Sequence, residues 1–323
     1  MTTTFTARTP DDMLALVPVV LGFVPQDSVA MLTFGGRHPF HARVDLPTDP
    51  ADLAAVVGLL LAPARQHRVR RALFVLYTDD AVLARFAARA LADDFEDAGI
   101  EVLEPLRADG GRWWPAIGVW AGVPPAGVAY DVTAHPFSAQ AVLEGRVLHG
   151  SREELRATLR SDPRRVTPVV AALARVADDP PDPDWVGALV SRHCRDGTSP
   201  GDDEVARLLR GLLDPVVRDA ATAGLGRATA SAHVGFWTDV VVRSPEPLLP
   251  GAAALLALAA WLAGHGALAW CALDRCAEVD EDHPLAGVIA RVLTEALPPD
   301  AWDQPTDEPA RGPGDEPGWG CSR

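Results

Sequence analysis

The chain has 323 residues, of which 48% are hydrophobic, and a formal net charge of −15. The length suits two domains or one large one, and the hydrophobic share is ordinary for a globular protein. The charge opposes nonspecific contact with nucleic acid or anionic lipid. All 29 basic residues are arginine, and neither lysine nor asparagine occurs. Without lysine there is no P-loop lysine, no Schiff-base amine and no kinase ATP lysine. Without asparagine there is no N-glycosylation acceptor.

Cys194, Cys271, Cys276 and Cys321 show no CxxC spacing. A disulfide framework is not expected at this size and density. The opening MTTTFTARTPDD lacks a charged start followed by an apolar run, so no signal peptide is expected and the chain reads as cytoplasmic. No cofactor and no membrane partner are expected.

In chain order, Pro10 to Leu21 resembles a helix start, with Asp11 and Asp12 ahead of its apolar residues and Pro18 interrupting it. Gly22 to Ser28 is rich in turn formers. Ser28–Phe34 is a β-rich run, and Phe40–Leu46 alternates with Phe40, Ala42, Val44 and Leu46 on one face. Together they read as an antiparallel hairpin. A helix is expected from Asp49 to Arg65, its stripe formed by Leu53, Val56, Val57, Leu60 and Leu61. Arg71–Thr78 reads as a buried strand. Asp79 and Asp80 cap a helix over Ala81–Ala98 with Leu83, Phe86, Ala87, Ala90 and Leu91 inward. Ile100–Leu106 completes a βαβ unit with parallel strands. Trp113–Trp120 reads as one more strand.

A loop over Gly122–Pro136 places a domain boundary near residue 130, after which helical patterns dominate. Helices are expected from Ala139, after Ser151–Glu154 (a capping box one residue short), over Val169–Val176 and over Trp185–Cys194 with Asp184 as cap. A long helix is expected from Asp202 or Asp203 through Ala223, and His233–Val242 is ambiguous between helix and strand. Ala252–Ala263 is apolar on every side and too short to span a bilayer, which marks a core helix. Two more helices follow, over Ala267–Val279 and from Pro284 to Leu297. The expected fold class is an α/β N-terminal domain over 1–130, a mixed sheet with a βαβ unit, then an α-helical domain over 131–302 and a disordered tail over 303–323.

The chemistry-bearing motifs mostly fail on physical grounds. Gly197-Thr198-Ser199-Pro200-Gly201 matches a nucleophile elbow, yet it joins two helices, and Pro200 has no N–H for an oxyanion. Gly224-Leu225-Gly226 is a fragment of a dinucleotide loop without its third glycine. The basic run Arg65–Arg71 reads as a helix C-terminus rather than an RNA site. The histidines form no HxxxH or HExxH pair, so no metal site is expected. One polar cluster stands out: Asp27 and Ser28 before the first strand, with Arg43 and Asp45 sharing a face of the second. A structural ion pair, with Asp27 capping a turn, is the preferred reading of it.

Several segments resemble one family. They are Leu21–Val29 (LGFVPQDSV), Arg43–Pro47 (RVDLP), Ala141–Arg146 (AVLEGR), Ser151–Leu155 (SREEL), Ala260–Ala269, Ala272–Arg275 and Leu297–Trp302 (LPPDAW). Jointly they are similar to the uncharacterised actinobacterial family known as domain of unknown function 4192, over nearly the whole chain bar the tail. The resemblance implies a cytoplasmic actinobacterial protein and implies no activity. It also implies a cysteine pair in the segment matching Gly122–Gly127. Here that segment reads GVPPAG, so it is expected to have no metal or redox role.

The expectation for function is a non-catalytic binding or protein-interaction module with a protein partner. Its surface would lie on the closing helices around Trp261, His265, Asp274 and Arg275. The rival is an enzyme, a hydrolase, with catalytic chemistry at Asp27, Ser28, Arg43 and Asp45. Nucleic-acid binding through Arg65–Arg71 is disfavoured by the net charge.

Overall fold

A computed structural model describes residues 7–36, 40–143, 147–176 and 179–302. The expected tail over 303–323, Asp178 of the acidic linker and Glu144–Arg146 lie outside the described residues.

The first half is a six-stranded mixed sheet in the order β2-β1-β3-β4-β5-β6. Its strands are β1 (Ser28–Phe34), β2 (His41–Asp45), β3 (Arg71–Tyr77), β4 (Glu101–Asp109), β5 (Arg112–Pro115) and β6 (Val128–Ala129). β1 runs antiparallel to both β2 and β3, with Val29 opposite Val44 and Leu76. β3 and β4 are parallel, joined by α3 (Ala81–Asp97), which is the expected βαβ unit. β6 falls in the stretch read as loop; a two-residue strand carries no alternation to detect.

The period-two alternation of β1 and β3 divides the apolar residues between two faces. Val29, Met31, Phe74 and Leu76 face α2 (Leu53–Gln66) and α3, packing on Val57, Leu60, Ala88, Leu91 and Phe95. Ala30, Leu32, Leu73 and Val75 face α1 (Pro10–Leu21), packing on Leu14 and Val17. All five stripe residues expected of α2 are buried. Phe86, expected inward on α3, is 57% exposed; the inward stripe is instead Ala84, Ala87, Ala88, Leu91 and Phe95. The alanines let the helix lie close to the sheet, and Phe86 falls one step off that stripe.

Pro18 does not interrupt α1. The helix runs through it to Gly22, which ends it in the left-handed region at φ 83°. Thr9 and Asp12 form a reciprocal capping box at its start.

The second half contains α4 (Pro136–Leu143), α5 (Arg152–Ala157), α6 (Pro163–Leu173), α7 (Pro183–Asp196), α8 (Asp202–Gly211), α9 (Pro215–Ala220), α10 (Ala230–Arg243), α11 (Leu249–Leu262), α12 (Gly266–Ala277) and α13 (Pro284–Thr294). α4 packs against α1, and Phe23 joins the core of the helical layer. The helix expected to run from Asp202 through Ala223 is two helices, because Asp214 caps a new start with Pro215 at its first position. Asp182, not Asp184, caps α7. The ambiguous stretch over His233–Val242 is helix α10. The Ser151 motif has full spacing: Ser151 Oγ accepts from the Glu154 amide at 3.1 Å. The Glu154 carboxylate accepts from Gly150 N–H, one residue before the cap.

α11 is the spine of this layer. All of its 14 residues are buried, and α8, α10, α12 and α13 pack around it. No helix among the described residues is long and apolar enough to cross a membrane.

Candidate functional site

A cavity of about 590 Å³ lies where the edge of the sheet meets the closing helices. Its sheet wall is Phe40 and the whole of β2, from His41 to Asp45. Behind it stand Val20 and Leu21 at the end of α1, Phe23 after the Gly22 turn, and Leu59, Leu60 and Pro63 of α2. Its helical wall is Trp261 at the end of α11, the Gly264 turn, Ala267 and Trp270 of α12, Leu293 and Thr294 at the end of α13, and Ala296 to Pro299 after it.

Local sequence sets this geometry. β2 is the edge strand of the sheet. Leu46 N–H donates to the Asp27 carbonyl at 2.9 Å. In an antiparallel ladder the paired residues alternate, so Ala42 and Val44 turn their amides to β1. His41, Arg43 and Asp45 therefore turn their N–H and C=O groups to the open side. On the helical wall, Gly264 takes φ 77° and turns the chain between α11 and α12. Trp261 is buried and donates its indole N–H to the Leu297 carbonyl at 3.0 Å, and its ring meets Trp302 edge-on at 6.4 Å. This pins the chain after α13 against the end of α11.

Two contacts join the walls, and a third braces one of them. His149 exchanges main-chain hydrogen bonds with Gly22 and Val24. His67, buried at the end of α2, places Nε2 3.2 Å from the Glu295 carbonyl. Phe40 packs on the His67 ring with centroids 5.3 Å apart.

The wall holds four ionisable side chains. Arg43 is 15% exposed, pairs with Asp45 at 2.5 Å and donates to the Gln26 carbonyl at 3.1 Å. Its Nε is buried with no hydrogen-bond partner. Burial pulls the guanidinium below its usual value; Asp45 opposes the shift and Arg152 adds to it. Arg152, the first residue of α5, pairs with Asp274 at 2.9 Å. Burial lowers His41 to about 4, so the ring is neutral at pH 7.

The structure brings together part of each expected site. Arg43 and Asp45 form the expected ion pair on one face of β2, and both line the cavity. Asp27 is exposed in a loop at φ 43° and senses Arg43 only as a nearby charge. Ser28 is fully buried with an unpartnered hydroxyl and does not line the cavity. On the helical side Trp261 is a wall residue. His265 is an exposed turn residue, Asp274 is held by Arg152, and Arg275 pairs with Glu278. Arg152 is the wall residue that sequence reasoning missed. It stood in the capping motif, and nothing local signals that it shares a cavity wall with a strand more than a hundred positions earlier.

The remaining motifs lie away from the cavity. The Gly197–Gly201 loop joins α7 to α8, with Thr198 Oγ1 2.7 Å from His193 Nδ1 and the Pro200 carbonyl held by Arg243 at 2.7 Å. Arg65, Arg68, Arg70 and Arg71 are exposed at and beyond the end of α2. Among the described residues no three His, Cys, Asp or Glu side chains gather as a metal site.

The family model Domain of unknown function (DUF4192) matches residues 10–300. Neither the curated proteins nor the solved structures contain a match to the chain. With that model covering both walls of the cavity, the chain belongs to the DUF4192 family.

Proposed function

We propose that this protein is a non-catalytic cytoplasmic binding module whose ligand sits in the cavity between β2 and the closing helices. The observation that carries the reading is the cavity itself. Its volume lies in the range of ligand sites, its wall is mostly apolar, and a few polar groups converge in it. The cytoplasmic setting is supported by Cys194, Cys271 and Cys276, which are free thiols. The resemblance of Leu21–Val29, Arg43–Pro47 and Leu297–Trp302 to this family supports an actinobacterial source. The hydrolase reading needs a substrate to reach Ser28, which is fully buried, so no observation favours it.

The test pairs native mass spectrometry of the purified protein with a thermal-shift screen of chemically diverse small molecules. At least one class is expected to raise Tm in the wild type and to lose that effect in Ala267→Trp, which fills the cavity from its helical wall. If every hit survives in Ala267→Trp, the site lies elsewhere. If a hit is chemically turned over, the module is an enzyme.

A further inference from the structure

The cavity is unusual in its charge. The chain as a whole carries −15. The cavity wall carries two guanidinium groups, Arg43 and Arg152, against one carboxylate, Asp45, with His41 neutral. Asp45 is 73% exposed, so the negative partner of Arg43 reaches toward solvent while the guanidinium stays mostly inside. Arg43 spends Nη1 on Asp45 and Nη2 on the Gln26 carbonyl, and its Nε has no partner. A buried donor without an acceptor is costly, and a carboxylate is the acceptor whose geometry fits the guanidinium edge. The open edge of β2 adds the main-chain N–H groups of His41, Arg43 and Asp45 on the same side. The rest of the wall is apolar and aromatic, including Phe23, Phe40, Trp261 and Trp270.

We propose that the ligand is an apolar carboxylate, its head held by Arg43 and Arg152 and its hydrocarbon or aromatic body lying against the tryptophan and phenylalanine wall. This rests on the binding reading above and names the class of molecule bound. The carboxylate lies between two cations that otherwise repel. Asp45 stays paired or swings to solvent, where it is already largely hydrated.

The test is isothermal titration calorimetry of the full chain with four probes of equal chain length: decanoate, decanol, decylammonium and decyl phosphate. Decanoate is expected to bind about tenfold or more tighter than decanol, the advantage of a charge-assisted hydrogen bond. That advantage is expected to shrink to about threefold or less in Arg152→Gln, a change at a partly exposed position that the fold tolerates, and in Arg43→Gln. Decanol or decylammonium binding as tightly as decanoate overturns the carboxylate assignment and leaves the binding reading intact. Decyl phosphate binding about tenfold tighter than decanoate overturns it in favour of a phosphate head. Failure of all four probes overturns it too. If the thermal-shift screen also yields no ligand sensitive to Ala267→Trp, the binding reading falls with it.

Discussion

Arg243→Met is the sharpest test of how the helical layer is held. Arg243 ends α10 with a side chain only 7% exposed. It donates to the Pro200 carbonyl at 2.7 Å and to Asp239 at 3.0 Å, and it pairs with Asp202 at the start of α8. Breaking a buried ion pair from one side typically costs about 3–5 kcal/mol. Two features lower that figure here. Asp202 is 47% exposed and rehydrates, while Asp239 keeps its pair with Arg165. One feature maintains it: the Pro200 carbonyl loses its charged donor inside the fold. Methionine keeps most of the packed stem, so little apolar contact is lost. The balance is a loss of about 3 kcal/mol, read as a lower urea midpoint at unchanged slope. Arg165→Met, at a 43% exposed side chain, is expected to cost under about 1 kcal/mol. A loss below about 1 kcal/mol for Arg243→Met, or equal losses for the two variants, would refute the argument that burial sets the cost.

His41 gives a pH dependence with a definite sign. Its value falls from 6.5 to about 4 on folding, so the unfolded chain binds the proton first on acidification. The stability it contributes is complete above pH 6.5 and is lost as the pH falls towards 4. The loss is at most about 3 kcal/mol, because the ring is partly exposed to the cavity. His41→Phe should flatten that part of a urea-midpoint profile, and an unchanged slope refutes the assignment. Cys271 and Cys276 are buried, and burial pushes Cys276 up to about 12. Peptide mapping after N-ethylmaleimide treatment at pH 8 should find both unlabelled until urea is added; rapid native labelling would place them at the surface. Gly127 sits at φ 77°, and a Cβ there would lie 2.6 Å from Trp114 Cζ2. Gly127→Ala should cost about 2 kcal/mol and disturb the stacking of Arg107 on Trp114; a thermal midpoint equal to the wild type would contradict this.

The sheet was legible wherever one period dominates. β1 and β3 follow from continuous apolar runs, β2 from alternation and the α2 stripe from helical spacing, because each has one or two faces committed to the core. Phe86 misled because a large apolar residue was assigned inward when alanines form the closely packed face. The long helix after Asp202 was over-extended because Pro215 sits at a position that starts a helix as readily as it ends one. Of the site, the Arg43–Asp45 pair was readable from a two-residue spacing, and Trp261 from its place in an apolar helix. The cavity was not. It is made by residues from six stretches, from Val20 to Pro299, and its second cation stands in a capping motif. Sequence spacing reports which residues share a face of one element, and it is silent on which elements come to face each other.

The open edge of β2 has a consequence for taking the molecule apart. A strand with unpaired amides invites another strand to pair with it, and natural sheets shield such edges. Here the shield is the far wall of the cavity: Trp261, Trp270 and the chain after α13 stand opposite the edge. The sheet cut away from its helices would present that edge bare, beside an apolar floor of Leu59, Leu60 and Phe40. Such a fragment would self-associate edge to edge. The helical half thus covers the open edge of the sheet half, so the two are best handled as one piece.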